Sequence, residues 1–578
     1  MPFFSFNSSH LLGRVREVDT RKVSILVNTN ENLRKARVGQ LVSLHVANAV
    51  DTWLIGMIEK VAKSATTVEC TKKDSVESSD EPVLLEDVIH SVRATLVGAV
   101  RWDAIQNRAV FSRSLVHVPE IDAKCYVLRD NQLETFMNVL STEGDREYSL
   151  EIGRYTVDGG AAAFLDGNKL FQRHVALLGS TGSGKSWTVA TLLERAAKLP
   201  SANLIVFDLH GEYRQMSYAR HLRIPGPEEL GSSSEELLYL PYWLLNAEEM
   251  QAMFIDHSEF SAHNQVVAFQ DAIIEQKKST LVKLEKQDVL AAFTLDSPIP
   301  FSIDQVFQTL TDLNEEMIEG SRGLKQGHFF GQFSRLLTRL RSKNIDKRYG
   351  FLFQSPDSEH HYDTMAIIAA KLMDYHITGA QVKVIDFSEV PSDILPVIVG
   401  LVARVIYQVQ FWTDRTRRWP LAFICDEAHL YLPNKENQNP VELRAIDIFE
   451  KIAKEGRKYG VSLMIVSQRP SDVSETILSQ CNNVIAMRLT NSSDQATVKK
   501  MMPESLEGLL DILPIMDIGE AIVVGDAVLL PSRIHIDPPS EKPLSATINF
   551  WTEWRKQADV PDFEKAVENM RKQGRGDA

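Results

Sequence analysis

Cysteine is scarce in this chain. Cys70, Cys125, Cys425 and Cys481 serve 578 positions, and no two of them form a CxxC pair. That spacing offers no thiolate metal site and no disulfide framework, and it suits reduced, mostly buried thiols in a cytoplasmic protein. A clean long apolar run is also missing. The most apolar stretch, Ile394 to Trp412, carries Arg404 in its middle and falls short of the roughly 18–20 unbroken apolar residues a membrane helix needs, so it reads as a buried core helix and no membrane partner is expected. The opening MPFFSFNSSHLLGRVREVD has no basic leader, so no signal peptide is expected. Positive charge is not in excess: 63 Lys and Arg face 77 Asp and Glu, a formal net charge of -14. A free-standing DNA-binding domain is usually basic, so the total gives no support to nucleic acid, although a ring with an acidic exterior and a basic pore satisfies the same sum. Internal repeats, low-complexity tracts, base-reading motifs and aromatic stacking boxes are not found.

What is present is a globular composition, with 44% hydrophobic and 24% charged residues, values that argue against disorder and allow a sizeable core. At roughly 100–200 residues per domain the length allows about three or four structural units. Residues 1–140 read as short strands (LGRVREV, KVSILVN, LVSLHVA, TWLIGMIEKV, TTVECT, ATLVGAV, AVFSRS) divided by polar breaks, which predicts a small barrel or sandwich. KKDSVESSDEP, Lys72 to Pro82, is loop-like, and NQLETFMNVLS near Asn131 to Ser141 is helical. From about Glu151 the pattern becomes strand, helix, strand: HVALLG, SWTVATLLERAAKL, ANLIVFDLH. That order is a βαβ unit and implies a parallel sheet. Residues 225–379 read as a mainly helical insertion, with EELLYLPYWLL, MQAMFIDHS and FGQFSRLLTRLRSK as amphipathic stretches. The alternation then resumes through VKVIDFS, the helix ILPVIVGLVARVIYQVQFW, LAFICDE, RAIDIFEKIAKEGRKYG, SLMIVSQ and NVIAMRL. EAIVVG and AVLLPSRIHI follow in the tail. The predicted class is α/β: a RecA-like P-loop core (150–224 and 380–535), an N-terminal small β-barrel (1–140), the helical insertion, and a C-terminal extension (536–578).

Gly179-Ser180-Thr181-Gly182-Ser183-Gly184-Lys185-Ser186 fits G-x-x-x-x-G-K-[ST] after a buried strand and before a helix, the context a phosphate loop requires. Glycines let the backbone wrap so that its N–H groups face phosphate oxygens, and the helix N-terminus adds a favourable dipole. Lys185 is expected to reach the β- and γ-phosphates of ATP and Ser186 to ligate Mg2+. Trp187 follows at the loop's edge. The competing interpretation is a chance glycine-rich turn.

Leu421 to Glu427 is an apolar strand ending in two carboxylates. Asp426 is expected to hold Mg2+ and Glu427 to act as the general base on the attacking water; the plainer alternative is a helix cap. Gln468 ends another apolar strand and could sense the γ-phosphate or orient water, against the alternative of a loop residue. Phosphoryl transfer needs cationic groups beyond Lys185. Arg457 is the candidate arginine finger and Arg173 the second. A basic residue favoured at a helix C-terminus is the plainer account of Arg457.

Together HVALLGSTGSGKS, VFDLHGEY (Val206 to Tyr213), FICDEAHLYLP and SQRP resemble the HerA branch of the HerA–FtsK ATPases. The DxHGEY segment is more specific than either nucleotide motif, and the resemblance spans essentially the whole chain. It implies a homohexameric ring with ATP and Mg2+ at subunit interfaces, duplex DNA in the central pore, and a partner that is a nuclease such as NurA or a sirtuin-like NAD-consuming effector, in DNA end processing or anti-phage defence. It also implies catalytic roles for the arginines at positions 173 and 457. Asp208 and Glu212 are left between a link to the pore and simple capping of local N–H groups.

Candidate DNA contacts are the basic clusters Arg335, Arg339, Arg341, Lys343 and Arg415, Arg417, Arg418, with Lys435 on the loop after the acidic strand; ordinary solvated helix faces are the alternative. A DEAH-box helicase shares the local Asp426-Glu427-Ala428-His429, but Asp426 lies too far beyond Lys185 for one such core and no second QxxGRxGR box is found. The remaining rival is an ATP-dependent scaffold for an effector, with little translocation.

Overall fold

The structure is a computed structural model that describes residues 3–46, 52–70, 83–103, 107–143, 149–156, 161–232, 234–320, 323–374, 381–434, 440–503, 506–545, 550–556 and 562–572. The 72–82 loop and Lys435 lie outside the described residues. The chain divides into two compact units. One comprises Met1–Thr188, Arg469–Ser471 and Asn482–Pro538; the other comprises Val189–Gln468, Asp472–Cys481 and Pro539–Ala578.

The first unit begins with a barrel. Its strands are β1 (Leu11–Asp19), β2 (Lys22–Val27), β3 (Leu41–His45), β4 (Thr52–Cys70), β5 (Val83–Asp103), β6 (Arg108–Ser112) and β7 (Lys124–Val127). They lie in the order β2-β1-β7-β3-β4-β5-β6, and a further β2–β5 pairing closes six of them, leaving β6 outside the ring. Alternation drives closure: Val23, Ile25 and Val27 of KVSILV point inward while their neighbours do not, and they pack with Leu12, Leu44, Leu54, Ile58, Val92 and Cys125. TWLIGMIEKV and TTVECT are not separate strands. They form one 19-residue strand, bent by register shifts at Ile55/Gly56 and Ile58/Lys60, which lets a long strand curve around a small barrel. Gly13 permits the close β1–β2 approach, since a Cβ there would collide with the Leu26 carbonyl oxygen. The Asp130–Glu143 helix follows where it was expected.

The same unit carries a mixed strand array. Val175–Leu178 pairs in parallel with Asn483–Ala486. Glu520–Val524, Ser532–Ile536, Ser149–Tyr155 and Ala162–Asp166 then add antiparallel, each to the one before. EAIVVG and SRIHI are therefore integral strands of this array. The 149–166 hairpin has no counterpart in the sequence reading. Arg113, beyond β6, donates to the carbonyls of Gly525, Val528 and Leu529, which satisfies a loop end by a side chain from the barrel.

The second unit is built on five parallel strands in the order Arg220–Arg223, Val382–Asp386, Leu204–Asp208, Leu421–Cys425, Val461–Ser467. The last four are buried at every position, as expected for parallel strands covered on both faces. The Leu395–Trp412 helix is long and apolar enough by composition to cross a membrane, yet 72% of it is buried inside the protein. It is a core helix, and Arg404 explains itself there. The guanidinium is held by both carboxylate oxygens of Glu249 and by the Leu244 carbonyl.

Residues 225–379 are mainly helical, with helices at Ala247–Phe254, Ala262–Lys283, Ile303–Glu315, Ser334–Ile345 and Thr364–Met373. Two expectations fail. EELLYLPYWLL is not an amphipathic helix: Leu237 to Leu245 is a buried, largely extended segment with one 3-10 turn at Tyr242–Leu244, and Pro241 blocks helix continuation. A two-stranded hairpin, Met317–Gly320 with Gly323–Gln326, also interrupts the helices. Cys125, Cys425 and Cys481 are free and buried.

Candidate nucleotide site

In the first unit, the buried strand Val175–Leu178 runs into the glycine loop, and the Lys185–Ala197 helix leaves it. The loop's shape depends on residues without a Cβ. Gly182 has φ +72° and Gly184 φ +108°, values that L side chains resist. A Cβ on Gly179 would meet the Ser183 Oγ at 2.6 Å. The turn closes through Ser183 N–H to the Ser180 carbonyl at 3.1 Å. It is anchored from outside by Ser180 N–H to the Arg488 carbonyl (2.8 Å) and Gly519 N–H to the Ser183 carbonyl (3.0 Å). Ser183 is buried, and Lys185 is only 7% exposed, its Nζ donating to the Ser180 carbonyl at 3.3 Å. The ammonium is thus folded back onto the loop's own backbone. Ser186 stands in the first helical turn, with Thr181 and Gly182 at the exposed rim and Trp187 38% exposed.

In the second unit, the acidic strand Leu421–Cys425 delivers Asp426 and Glu427 at its C-terminal end. The register with the neighbouring strand pairs Phe207 with Cys425, so Asp208 and Asp426 emerge at the same edge. Asp208 is fully buried and accepts the N–H groups of His210, Glu212 and Tyr213 at 3.3, 3.0 and 3.0 Å. That capping winds DLHGEY into a turn. The turn carries Tyr213 back so that its hydroxyl donates to Oδ2 of Asp426 at 3.0 Å, while Glu427 N–H donates to Oδ1, also at 3.0 Å.

Electrostatics at this edge are unfavourable for anions. Burial, then the charges of Glu427, Glu212 and Asp208, push the Asp426 carboxyl up to about 8, against the lowering effect of the Tyr213 hydrogen bond. Burial likewise raises Asp208. Oε2 of Glu212 is buried and lacks a hydrogen-bond donor among the described residues. Clustered, desolvated carboxylates with an orphaned oxygen fit a divalent cation. No group of three or more His, Cys, Asp or Glu among the described residues could hold an ion by itself. Magnesium takes one or two carboxylates and otherwise leans on water and substrate phosphate; Asp426, with the charge of Glu212 close by, is a carboxylate of that kind.

Glu427 adopts a left-handed backbone, φ +45° and ψ +43°, uncommon for a non-glycine residue and a local strain characteristic of active sites. Its Oε2 lies 3.3 Å from Nδ1 of His429, whose ring nitrogen also faces Ser467 Oγ at 3.4 Å. Gln468 is half-buried just past the Val461–Ser467 strand.

The two arginines differ. Arg457 stands in the 3-10 turn Gly456–Tyr459 beyond the Pro440–Glu455 helix. It is exposed and has no ion-pair partner among the described residues. Arg173, at the end of the Gly167–Gln172 helix, is engaged by Asp526 at 2.9 Å. Most of the first basic cluster is ion-paired: Arg339 pairs with Asp256 and Glu259, Arg335 with Glu259, and Lys343 with Asp393, while Arg341 lies over the Phe307 ring. Arg418 donates to the Thr413 and Phe411 carbonyls, and Arg415 and Arg417 are exposed.

Residues 150–406 match the family described as helicase HerA, central domain, and residues 414–529 match the family described as helicase HerA-like, C-terminal. The chain belongs to the HerA-type ATPases. It is similar to the DNA double-strand break repair helicase HerA of Saccharolobus solfataricus, 25% identical over 69% of this chain and 70% of that one. A probable helicase of Methanocaldococcus jannaschii is 24% identical over 88% of this chain and 92% of its own length. Among solved structures, VirB4 of Thermoanaerobacter pseudethanolicus covers 68% of this chain and 96% of its own at 18% identity, with a TM-score of 0.44. The protein is thus an ATPase that binds ATP. Tyr213 is the site residue the sequence reading missed; DLHGEY was the signal, but nothing local says that its tyrosine serves another strand.

Proposed function

We propose that this HerA-type ATPase hydrolyses ATP with Mg2+ to move duplex DNA through a homohexameric ring, in the cytoplasm, beside a nuclease or another effector enzyme. Its parts are the barrel, the ATPase core of 150–224 and 380–535, the helical insertion of 225–379 and the extension of 536–578. The observation that carries the catalytic half is the strained Glu427 directly after the buried Asp426. The DNA half is supported by the helicase names of the relatives.

In this reading Gly179, Ser180, Thr181, Gly182, Ser183 and Gly184 wrap the phosphates with backbone N–H groups, and Trp187 borders the nucleotide. Lys185 exchanges its loop carbonyl for phosphate oxygens. Asp426 and Ser186 would hold the metal ion, which supplies Lewis-acid charge neutralisation when bound. Glu427 takes the proton of the attacking water, and the neighbouring His429 orients it. Gln468 senses the terminal phosphate, and Arg457 reaches a neighbouring subunit's nucleotide, with Arg173 as the second cationic group.

The test is ATP hydrolysis by the purified chain with and without linear duplex DNA. Stimulation by duplex, absent in Lys185→Ala, supports the motor. Equal turnover with and without DNA favours an ATP-dependent scaffold for an effector.

A further inference from the structure

The segment Asp208 to Tyr213 is the most distinctive motif in the sequence, and nothing in nucleotide hydrolysis as described above uses it. Its geometry is specific. Asp208 ends one parallel strand, Asp426 ends the adjacent one, and the register places them at one edge. The three N–H groups gathered by Asp208 fix the turn. Gly211 takes φ +70° in this turn, a conformation that L side chains resist. Tyr213 is completely buried, and its hydroxyl makes the side-chain hydrogen bond to Asp426. From outside, the Leu544 N–H donates to the Glu212 carbonyl at 2.7 Å, and Ser217 binds Glu541 through its N–H and hydroxyl. The tyrosine is thereby held from both ends.

We propose that Tyr213 is the positioning residue of the metal-bearing carboxylate: its hydroxyl fixes the rotation of Asp426, and the Asp208-capped turn exists to hold that hydroxyl in place. A carboxylate offers about four lone-pair sites. One is taken by Tyr213 and one by the Glu427 N–H, which leaves the remaining pair directed by the first two. Without the phenol hydroxyl, Asp426 keeps its place at the strand end but loses one of the two bonds that define its plane. Outer partners of metal-binding side chains commonly act this way.

The inference rests on the ATPase reading and is tested apart from it. Tyr213→Phe keeps the buried ring and deletes only the hydroxyl. Three quantities are measured on the full chain: ATP binding in EDTA, Mn2+ binding to the ADP complex by electron paramagnetic resonance, and ATP turnover against Mg2+ concentration. Metal-free nucleotide affinity is expected to stay at the wild-type value. Mn2+ affinity is expected to fall about 10-fold, the half-saturating Mg2+ to rise by the same factor, and kcat to recover at saturating metal. Wild-type metal affinity in Tyr213→Phe overturns the proposal. Should that variant not fold, Asp208→Asn, which keeps the hydroxyl and loosens its turn, carries the test. The same shift supports the proposal, and unchanged metal affinity overturns it. A wild-type chain that turns over ATP undiminished by Lys185→Ala contradicts the ATPase reading instead.

Discussion

Glu249 and Arg404 form a buried, two-pronged ion pair, with Nε and Nη2 of the arginine each 2.7 Å from a carboxylate oxygen. Glu249 belongs to the Ala247–Phe254 helix and Arg404 to the Leu395–Trp412 helix. The pair therefore fastens one to the other. Removing one member of such a pair leaves an uncompensated buried charge and costs about 3–5 kcal/mol. Glu249→Gln is expected to lower the thermal midpoint strongly, and adding Arg404→Met to recover most of the loss. A double variant as unstable as the single would show that the two side chains are not coupled.

Arg457 and Arg173 are expected to separate when replaced by alanine. Arg457 is exposed, and truncating such a side chain changes stability by no more than about 0.5 kcal/mol. If it is the trans-acting cation, Arg457→Ala nevertheless lowers kcat by about 10³-fold. Arg173→Ala frees Asp526 from its partner at 2.9 Å and is expected to show a measurable fall in thermal stability alongside any loss of turnover. Melting curves and steady-state ATP hydrolysis on the same preparations distinguish the two.

Lys383 gives a pH dependence. Burial lowers its ammonium from the usual lysine range to about 7, with Asp374 opposing the shift. In the unfolded chain the group stays protonated up to about 10.5. Between these values the unfolded state holds the extra proton, so stability rises with pH across roughly 7 to 10.5. The cost of burying the ammonium is greatest below 7. Lys383→Met is expected to be more stabilising at pH 6.5 than at pH 9, by about 2–4 °C in thermal midpoint. A difference independent of pH would contradict the buried charge.

Much of the candidate site's local geometry was legible because its signals are local. Gly179 to Ser186 needs only a glycine spacing between an apolar strand and a helix, and Asp426-Glu427 needs only an apolar run with acids at its end. The barrel was legible for the same reason, through strict alternation in segments such as KVSILV. What failed depends on distant partners. Leu237 to Leu245 has helix-forming composition, but Pro241 and burial on all sides hold it extended. The basic cluster around Arg339 left a DNA contact and a solvated helix face open, and its pairing with Asp256 and Glu259, far away in sequence, could not be read from spacing. Tyr213 meets Asp426 only because two parallel strands end in register, and no spacing rule announces that pairing.

The central claim is that Glu427 activates the water while the glycine loop and Lys185 hold the nucleotide. It is tested most directly by measuring ATP binding and ATP hydrolysis on Glu427→Gln and Lys185→Ala side by side. The account predicts that Glu427→Gln binds ATP as the wild type does and loses about 10²–10⁴-fold in hydrolysis, whereas Lys185→Ala loses binding itself. Hydrolysis at the wild-type rate in Glu427→Gln would contradict it.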